Sequence, residues 1–223
     1  MRRIPEAEEL MDEADQALAY AEADFSASNT LFIELFEALH SGEFVTTALD
    51  LGCGPADIPI RFAHRYPRAQ ISALDGAQAM LDLAQAAINN HGLEQRIKLY
   101  CQYLPTTRLE QKYDALLSNS LLHHLHNPLD LWETIYSCAR PGATVLVMDL
   151  LRPDSPRQVD ELVAEYASDA PEVLRQDFTA SLYAAYTLEE VREQLAATPL
   201  QGLEVTQVSD RHLAVRGSLD GRP

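Results

Sequence analysis

A glycine turn between a strand and a helix constrains this sequence more than any other feature. Gly52 and Gly54 directly follow an apolar run from Val45 to Leu51, and a helix pattern starts at about Ala56. Glycine lets the backbone turn sharply and approach a ligand closely. The free N–H groups and the dipole at a helix start favour a polar ligand there. We expect Asp57 to cap this helix.

A carboxylate ends the second predicted strand. That strand covers Ala69 to Leu74, and Asp75 follows it directly. A carboxylate at this place can accept hydrogen bonds from both ribose hydroxyls of a nucleoside. The order of strand, GxG, helix, strand and acid therefore predicts an adenosine-containing ligand. Asp57 stands where a dinucleotide turn has its third glycine, and its charge disfavours a pyrophosphate, so a nicotinamide oxidoreductase is not favoured.

Strands and helices alternate through the middle of the chain. Strands are predicted at 45–51, 69–74, 97–101, 113–118 and 143–150, and the helices between them at 56–66, 77–90 and 128–139. This alternation predicts a parallel sheet with right-handed crossovers. Further helices are predicted at 5–24, 28–40 (closed by Gly42), 156–168, 170–185 and 187–197. The runs 203–208 and 211–216 are too close together for anything but an antiparallel hairpin.

The predicted fold is therefore an α/β, Rossmann-like, seven-stranded, mostly parallel sheet with an antiparallel C-terminal hairpin, helices on both faces and a helical cap. We expect one domain over residues 1–223. Its predicted parts are an N-terminal helical lid (1–42), a cofactor-binding core (43–150), a helical cap segment (151–200) and the hairpin (201–217).

Charge and composition exclude several kinds of partner. The chain has 34 acidic residues against 17 lysines and arginines, a net charge of −17. Nucleic-acid binding depends on basic side chains that neutralise phosphates, so neither nucleic acid nor an anionic membrane is an expected partner. No apolar run approaches the roughly 20 residues of a membrane span. Three cysteines without a CxxC pair favour a cytoplasmic protein.

The motifs resemble those of the class I S-adenosylmethionine-dependent methyltransferases over about residues 45–150. Asp50 to Ala56 is similar to the family's Asp-x-Gly-x-Gly-x-Gly loop, with Ala56 in place of the last glycine. Leu74-Asp75-Gly76, followed by Met80-Leu81, resembles the ribose-binding motif and its helix. Residues 113–125 resemble the fourth strand and the loop along the methionine moiety, and residues 140–147 the turn and strand that follow.

The resemblance implies S-adenosylmethionine as cofactor, with S-adenosylhomocysteine as product, and a set of binding residues. These are Tyr20, Phe25, Asp50, Gly52, Cys53, Gly54, Asp57, Asp75, Gly76, Met80, Gln102, Tyr103, Asn119, Ser120 and Leu121. Gln102 and Tyr103 stand where the family usually has an acid or amide for adenine, and backbone recognition alone is the alternative. Tyr20 and Phe25 either close a lid over the cofactor or pack between helices.

Three histidines, His123, His124 and His126, follow the fourth predicted strand. A metal site is not predicted, because no Asp, Glu or Cys stands close by in sequence to complete one. His124 is the candidate catalytic base for an acceptor whose nucleophile carries a proton.

The predicted function is methyl transfer to a small molecule. The alternatives are transfer of another group from the same cofactor, and a cofactor-binding module without catalysis. The candidate substrate residues lie in the lid and cap: Tyr20, Phe25, Arg152, Phe178, Tyr183 and Tyr186. The amine-methylating signature (Asn/Asp/Ser)-Pro-Pro-(Tyr/Phe) is absent, since residues 118–121 read Ser-Asn-Ser-Leu.

Overall fold

The computed structural model describes residues 1–7, 10–40, 45–105, 109 and 111–219. Within them, the strands are β1 (Thr47–Leu51), β2 (Gln70–Asp75), β3 (Ile97–Cys101), β4 (Tyr113–Asn119), β5 (Ala139–Leu150), β6 (Glu204–Gln207) and β7 (His212–Ser218). The helices are α1 (Ala14–Glu22), α2 (Ser26–Leu39), α3 (Asp57–Arg65), α4 (Gln78–Asn90), α5 (Leu129–Cys138), α6 (Pro156–Tyr166), α7 (Glu172–Ala184) and α8 (Leu188–Ala196).

The seven strands form one sheet in the order β3-β2-β1-β4-β5-β7-β6. The first five are parallel, whereas β7 runs antiparallel to both β5 and β6. The mostly parallel sheet with a C-terminal hairpin is thus confirmed. The strand order reverses between β1 and β4, and ligands of open α/β sheets bind outside the carboxyl ends of strands at such a point.

Helices cover both faces of the sheet, and neighbouring strand residues enter different cores. Ala48 packs with Phe36 and Phe62 on one side, whereas Leu49 packs with Trp132 on the other. Residues 143–150 of β5 are all buried, as expected for a strand covered on both faces, and six of the eight are apolar. No helix within the described residues is long and apolar enough to cross a membrane.

The first predicted helix is much shorter than its 5–24 pattern, because it begins only at Ala14. The preceding residues bond to distant parts of the fold instead. Ile4 N–H donates to Tyr183 O, and the Asp12 carboxylate accepts from Ala79 N–H. We call residues 1–7 and 10–12 the N-terminal strap. Gly42, expected to close α2, lies outside the described residues.

Asp114, in β4, forms hydrogen bonds to residues at the start of β1 and in β5. These bonds predict that Asp114 makes a pH-dependent contribution to the free energy of unfolding. It accepts hydrogen bonds from the Thr46 hydroxyl, from Thr47 N–H at 3.0 Å and from Arg140 Nη1 at 2.8 Å. Burial opposes ionisation, but these bonds outweigh it and hold the pKa of Asp114 at about 2.

We therefore expect Asp114→Asn to lower the free energy of unfolding by about 1–2 kcal/mol at pH 7. The carboxylate stabilises the fold above its unfolded pKa near 3.9, and that contribution is lost as pH falls toward 2. Urea unfolding at pH 7 and pH 3 measures it, with the exposed Asp82→Asn as control. A difference from wild type that does not shrink at pH 3 contradicts this assignment.

Candidate active site

A cleft opens where β1, β2 and β4 end, on the side predicted for a ligand. Its lining comes from the glycine turn, the ends of β2 and β4, and the N-terminal residues. The lining residues are Leu10, Met11, Tyr20, Leu51, Gly52, Gly54, Leu74, Asp75, Gly76, Ala77, Met80, Gln102, Tyr103, Leu104, Asn119, Ser120, Leu121, His124 and Leu125. Twelve of the sixteen residues proposed from sequence are among them.

The turn after β1 requires glycine at its first position. Gly52 has φ +74°, a left-handed conformation, and a Cβ built on it would lie 2.9 Å from Leu121 Cβ. Its N–H and that of Cys53 both donate to Leu74 O, which ties the turn to β2. Ala56, in place of the motif's last glycine, also has a positive φ of 71°. An L-residue pays roughly 1–2 kcal/mol for that conformation, so the chain keeps the loop shape despite the alanine.

Asp75 lies at the end of β2 and braces the glycine turn. Its Oδ2 accepts from Gly54 N–H at 2.8 Å, and its Oδ1 accepts from Ala77 N–H at 2.9 Å. Burial raises its pKa, although these backbone donors work in the opposite direction. The Asp75 carboxylate therefore lines the cleft and also holds the glycine turn in position.

Buried acceptors around the cleft lack donors among the described residues. These are both carboxyl oxygens of Asp50, Oε1 of Gln102 and Oδ1 of Asn119. Desolvation, with Asp75 nearby, raises the pKa of Asp50 to about 8. Buried polar atoms are nearly always hydrogen-bonded, so unpaired acceptors indicate a missing donor. A ligand with an ammonium and an exocyclic amine, such as S-adenosylmethionine, fits this set of acceptors.

Asp50 gives a prediction about protons. It is 1% exposed, and its pKa of about 8 means that it holds a proton at pH 7. We expect the ammonium of a ligand bound in the cleft to favour the carboxylate form of Asp50 through electrostatic attraction, so binding should release on the order of one proton. Calorimetric titration of S-adenosylhomocysteine in phosphate and in Tris at pH 7 measures this release. We expect Asp50→Asn to abolish the difference in heat between buffers, and an unchanged difference would show that another group titrates.

Four of the residues proposed from sequence lie outside the cleft lining. Phe25 is 37% exposed and packs against the ring of Tyr20, with centroids 4.7 Å apart. Cys53 is buried, and Asp50 lies beneath the turn with 1% exposure. Asp57 is the fourth, and its predicted role as a helix cap is wrong.

Asp57 is the first residue of α3, and the N-cap residue Ala56 makes no side-chain cap bond. The Asp57 carboxylate instead accepts from Asn29 Nδ2 and from Arg61 Nε, both at 2.6 Å. Its charge is paired with Arg61, so it is not free to attract a ligand ammonium. Asn29 in turn accepts from Asn119 Nδ2 at 3.2 Å, a link between α2 and the cleft that sequence reasoning missed.

The strap forms one wall of the cleft. Leu10 and Met11 line it, and a Cβ built on Gly76 would lie 2.7 Å from Leu10 Cδ2. Tyr20 also lines the cleft, and burial together with the charge of Asp75 raises its pKa to about 12. Sequence reasoning expected a lid here but missed Leu10 and Met11, because it assigned them to a helix.

Two of the histidines each pair with a carboxylate that is distant in sequence. His123 is buried, with its Nδ1 2.6 Å from Asp149 Oδ1. His124 lines the cleft, with its Nδ1 2.5 Å from Glu6 Oε2. Ligand atoms of Glu6, His123 and His124 lie within 4.8 Å of one another, close enough that the three side chains could share a metal ion. The sequence argument against a metal overlooked Glu6, and the absence of a metal stays a prediction.

The cap residues suggested for substrate binding serve packing instead. Arg152 is buried and donates to Glu190 Oε1 at 2.7 Å, so it is not available to a substrate carboxylate. Tyr186 is 7% exposed and belongs to a core. Phe178 and Tyr183 pack against the small core between β5, α6 and α7.

Comparison with known proteins identifies a methyltransferase domain in this chain. Residues 48–142 match a family model for a methyltransferase domain. The chain is 24% identical over 128 residues to a malonyl-[acyl-carrier protein] O-methyltransferase of Priestia megaterium, covering 57% of this chain and 44% of the relative. It is 43% identical over 77 residues to a ribosomal protein uL3 glutamine methyltransferase of Neisseria gonorrhoeae, covering 34% and 25%. The chain thus matches less than half the length of these relatives.

A solved structure shows the same fold over nearly the whole chain. It is the plantazolicin methyltransferase BpumL in complex with a triazolic desmethylPZN analog and S-adenosylhomocysteine. The TM-score is 0.69 at 14% identity, with 93% of this chain and 92% of the other covered. Residues 48–142 thus match a methyltransferase domain, and the seven-stranded sheet has the fold of solved S-adenosylmethionine-dependent methyltransferases.

Proposed function

We propose that the cleft binds S-adenosylmethionine and that the chain transfers its methyl group to a small-molecule acceptor. One observation carries this proposal. The glycine turn, Asp75 and Asn119, which lie on three separate strand ends, converge on one cleft whose buried acceptors lack donors. The relative in complex with S-adenosylhomocysteine supports the choice of cofactor.

Each part of the cleft has a role in this proposal. Asp75 accepts hydrogen bonds from the ribose hydroxyls, as a carboxylate at a strand end does for nucleosides. The backbone at Gly52 and Gly54 lies beside the methionyl half. Gln102 and Tyr103 lie next to the adenine, and the free Oε1 of Gln102 accepts from its amino group.

The cleft supplies alignment and exclusion of water. Bound S-adenosylmethionine brings an electrophilic methyl group on a sulfonium, so the protein needs mainly to orient the acceptor and keep the site dry. The strap contributes to the exclusion of water, because the apolar side chains of Leu10 and Met11 line one wall of the cleft. A base is needed only when the nucleophile carries a proton, and His124 is the proposed base.

A small acceptor remains a proposal, since the relatives include enzymes named for an acyl-carrier protein and for a ribosomal protein. The strap narrows the cleft, which favours a small acceptor over a folded protein surface. The strongly acidic composition disfavours nucleic acid. None of the three cysteines, all of which lie within the described residues, forms a disulfide, and this supports the cytoplasmic location that we propose.

The test combines binding and isotope transfer. Calorimetry measures binding of S-adenosylmethionine and S-adenosylhomocysteine to the purified protein. A cell extract is then incubated with the protein and cofactor labelled either on the methyl or on the carboxyl carbon, and separated into small molecules and proteins. We expect methyl label alone to enter the small-molecule fraction. Carboxyl label in the product indicates transfer of another group, and binding without any transfer indicates a non-catalytic module.

A further inference from the structure

The strap brings a carboxylate to the wall of the cleft. Glu6 Oε2 is 2.5 Å from His124 Nδ1, and Glu6 Oε1 accepts from the Ser181 hydroxyl at 2.7 Å. Only 12% of the Glu6 side chain and 17% of the His124 side chain are exposed. Both carboxylate oxygens therefore have partners, and the pair joins the strap, the loop after β4 and α7.

The strap around Glu6 is anchored independently of this pair. Arg3 Nε donates to Ala184 O at 2.5 Å, and its Nη2 donates to His123 O at 3.0 Å. The Arg3 guanidinium also lies 4.1 Å above the centre of the Tyr186 ring. These contacts fix the backbone of the strap close to Glu6, so the Glu6 side chain reaches His124 from a defined position.

Charges around Glu6 favour its ionised form. Burial works against ionisation, but the hydrogen bond of His124, the electrostatic influence of the His124 and His123 imidazoles and the hydrogen bond of Ser181 outweigh it and lower the pKa of Glu6. The neighbouring His123 is influenced by the charges of Asp149 and Arg3, in addition to that of Glu6. At neutral pH Glu6 is a carboxylate, so it can only accept from His124 Nδ1. An imidazole that donates through Nδ1 keeps Nε2 as its acceptor.

His123 is not an alternative to His124 in this role. Its Nδ1 is engaged by Asp149 at 2.6 Å, and only 2% of the residue is exposed. His123 does not line the cleft, whereas His124 does. Among the described residues of the cleft lining, His124 is the only histidine, and imidazole is the side chain that commonly takes up a proton in catalysis.

We propose that Glu6 is a positioning residue that holds His124 with its proton on Nδ1, and that the acceptor is a hydroxyl compound. This inference rests on the proposed function. The hydroxyl oxygen forms a bond to the methyl carbon while the methyl–sulfur bond breaks and leaves its electron pair on sulfur. The hydroxyl proton passes to His124 Nε2, and the Glu6 carboxylate stabilises the resulting imidazolium, as a carboxylate does for histidine in a hydrolase triad.

The first test needs no acceptor. Protein labelled with ¹⁵N-histidine and saturated with S-adenosylhomocysteine is studied by long-range proton–nitrogen correlation at neutral to mildly alkaline pH. His124→Gln assigns the signals. We expect neutral His124 to carry its proton on Nδ1 in the wild type and in Glu6→Asp, and to redistribute it toward Nε2 in Glu6→Gln. The exposed Glu13→Gln is the matched control and should leave the wild-type pattern.

The second test uses as acceptor the same small-molecule fraction from fresh extract, before it has taken up any methyl label. We expect Glu6→Gln to lower kcat at least tenfold, with S-adenosylhomocysteine affinity within threefold of wild type, and Glu6→Asp to recover most of the loss. The deficit of Glu6→Gln should shrink as pH rises and the acceptor hydroxyl ionises by itself. A purely structural contact would give no such pH dependence and no recovery by aspartate.

Several outcomes overturn the inference. One is wild-type His124 with its proton on Nε2, and this result needs no variant to fold. Another test adds Zn²⁺ alone to the cofactor-bound protein. Tight binding that shifts the His123 and His124 signals together would show that the cluster is a metal site. A labelled product methylated on nitrogen, sulfur or carbon also contradicts it. Failure to bind S-adenosylhomocysteine at all instead contradicts the proposed function.

Discussion

Asp75→Ala is expected to weaken S-adenosylhomocysteine binding by about 30- to 150-fold. Hydrogen bonds to a charged group contribute about 1.5–3 kcal/mol, and a buried donor left without a partner adds to the loss. The substitution removes the proposed ribose acceptor. It also leaves Gly54 N–H and Ala77 N–H, which donate to Asp75 at 2.8 and 2.9 Å, without their acceptor. Calorimetric titration of the folded variant measures the change.

Asp82→Ala is the control for this experiment. Asp82 is exposed on α4 and accepts from Gln78 Nε2 on the same helix, so its removal should leave the affinity unchanged. The variant Asp75→Asn separates the two roles of the carboxylate, because an amide can accept only through one oxygen. Unchanged affinity in Asp75→Ala, with a native circular dichroism spectrum, would remove Asp75 from the binding site.

Gly52→Ala is expected to weaken the same binding by about 100-fold or more. A left-handed conformation costs an L-residue roughly 1–2 kcal/mol, which affects the fold. The added Cβ would lie 2.9 Å from Cβ and from Cδ1 of Leu121, two residues beyond the end of β4. Relief of this clash moves either the turn or Leu121, and both line the cleft. Affinity should therefore fall by more than stability alone explains.

Gly92→Ala provides a matched control, since Gly92 has φ +64° and nothing lies within 4 Å of its added Cβ. Both variants carry the same kind of backbone strain, but only one crowds the cleft. We expect similar shifts in the urea midpoint and normal S-adenosylhomocysteine binding by Gly92→Ala. If Gly52→Ala binds within threefold of wild type, the turn is not the binding loop.

Local sequence patterns were enough to predict the sheet and the part of the cleft that the glycine turn and the strand ends form. The strand–turn–helix order around Gly52 and the acid after β2 could be predicted from the sequence. The spacing of apolar residues, the glycine positions and the strand ends are all visible in short stretches of neighbouring residues. The hairpin was predictable because two strands so close in sequence can pair only antiparallel. Parallel strands then bring their carboxyl ends to one edge, so Gly52, Asp75 and Asn119 had to meet.

Only the tertiary structure decided which groups complete the cleft. Glu6 and His124 are 118 positions apart, and no periodicity connects an extended segment to the loop that it covers. Helix propensity favoured residues 5–13 as helix, but bonds from Arg3, Ile4 and Asp12 to other elements prevailed. Arg152 and Asp57 each found a buried or local partner of opposite charge. Helix propensity depends on residues that are close in sequence. Which charged side chains pair depends instead on which surfaces are in contact in the folded protein.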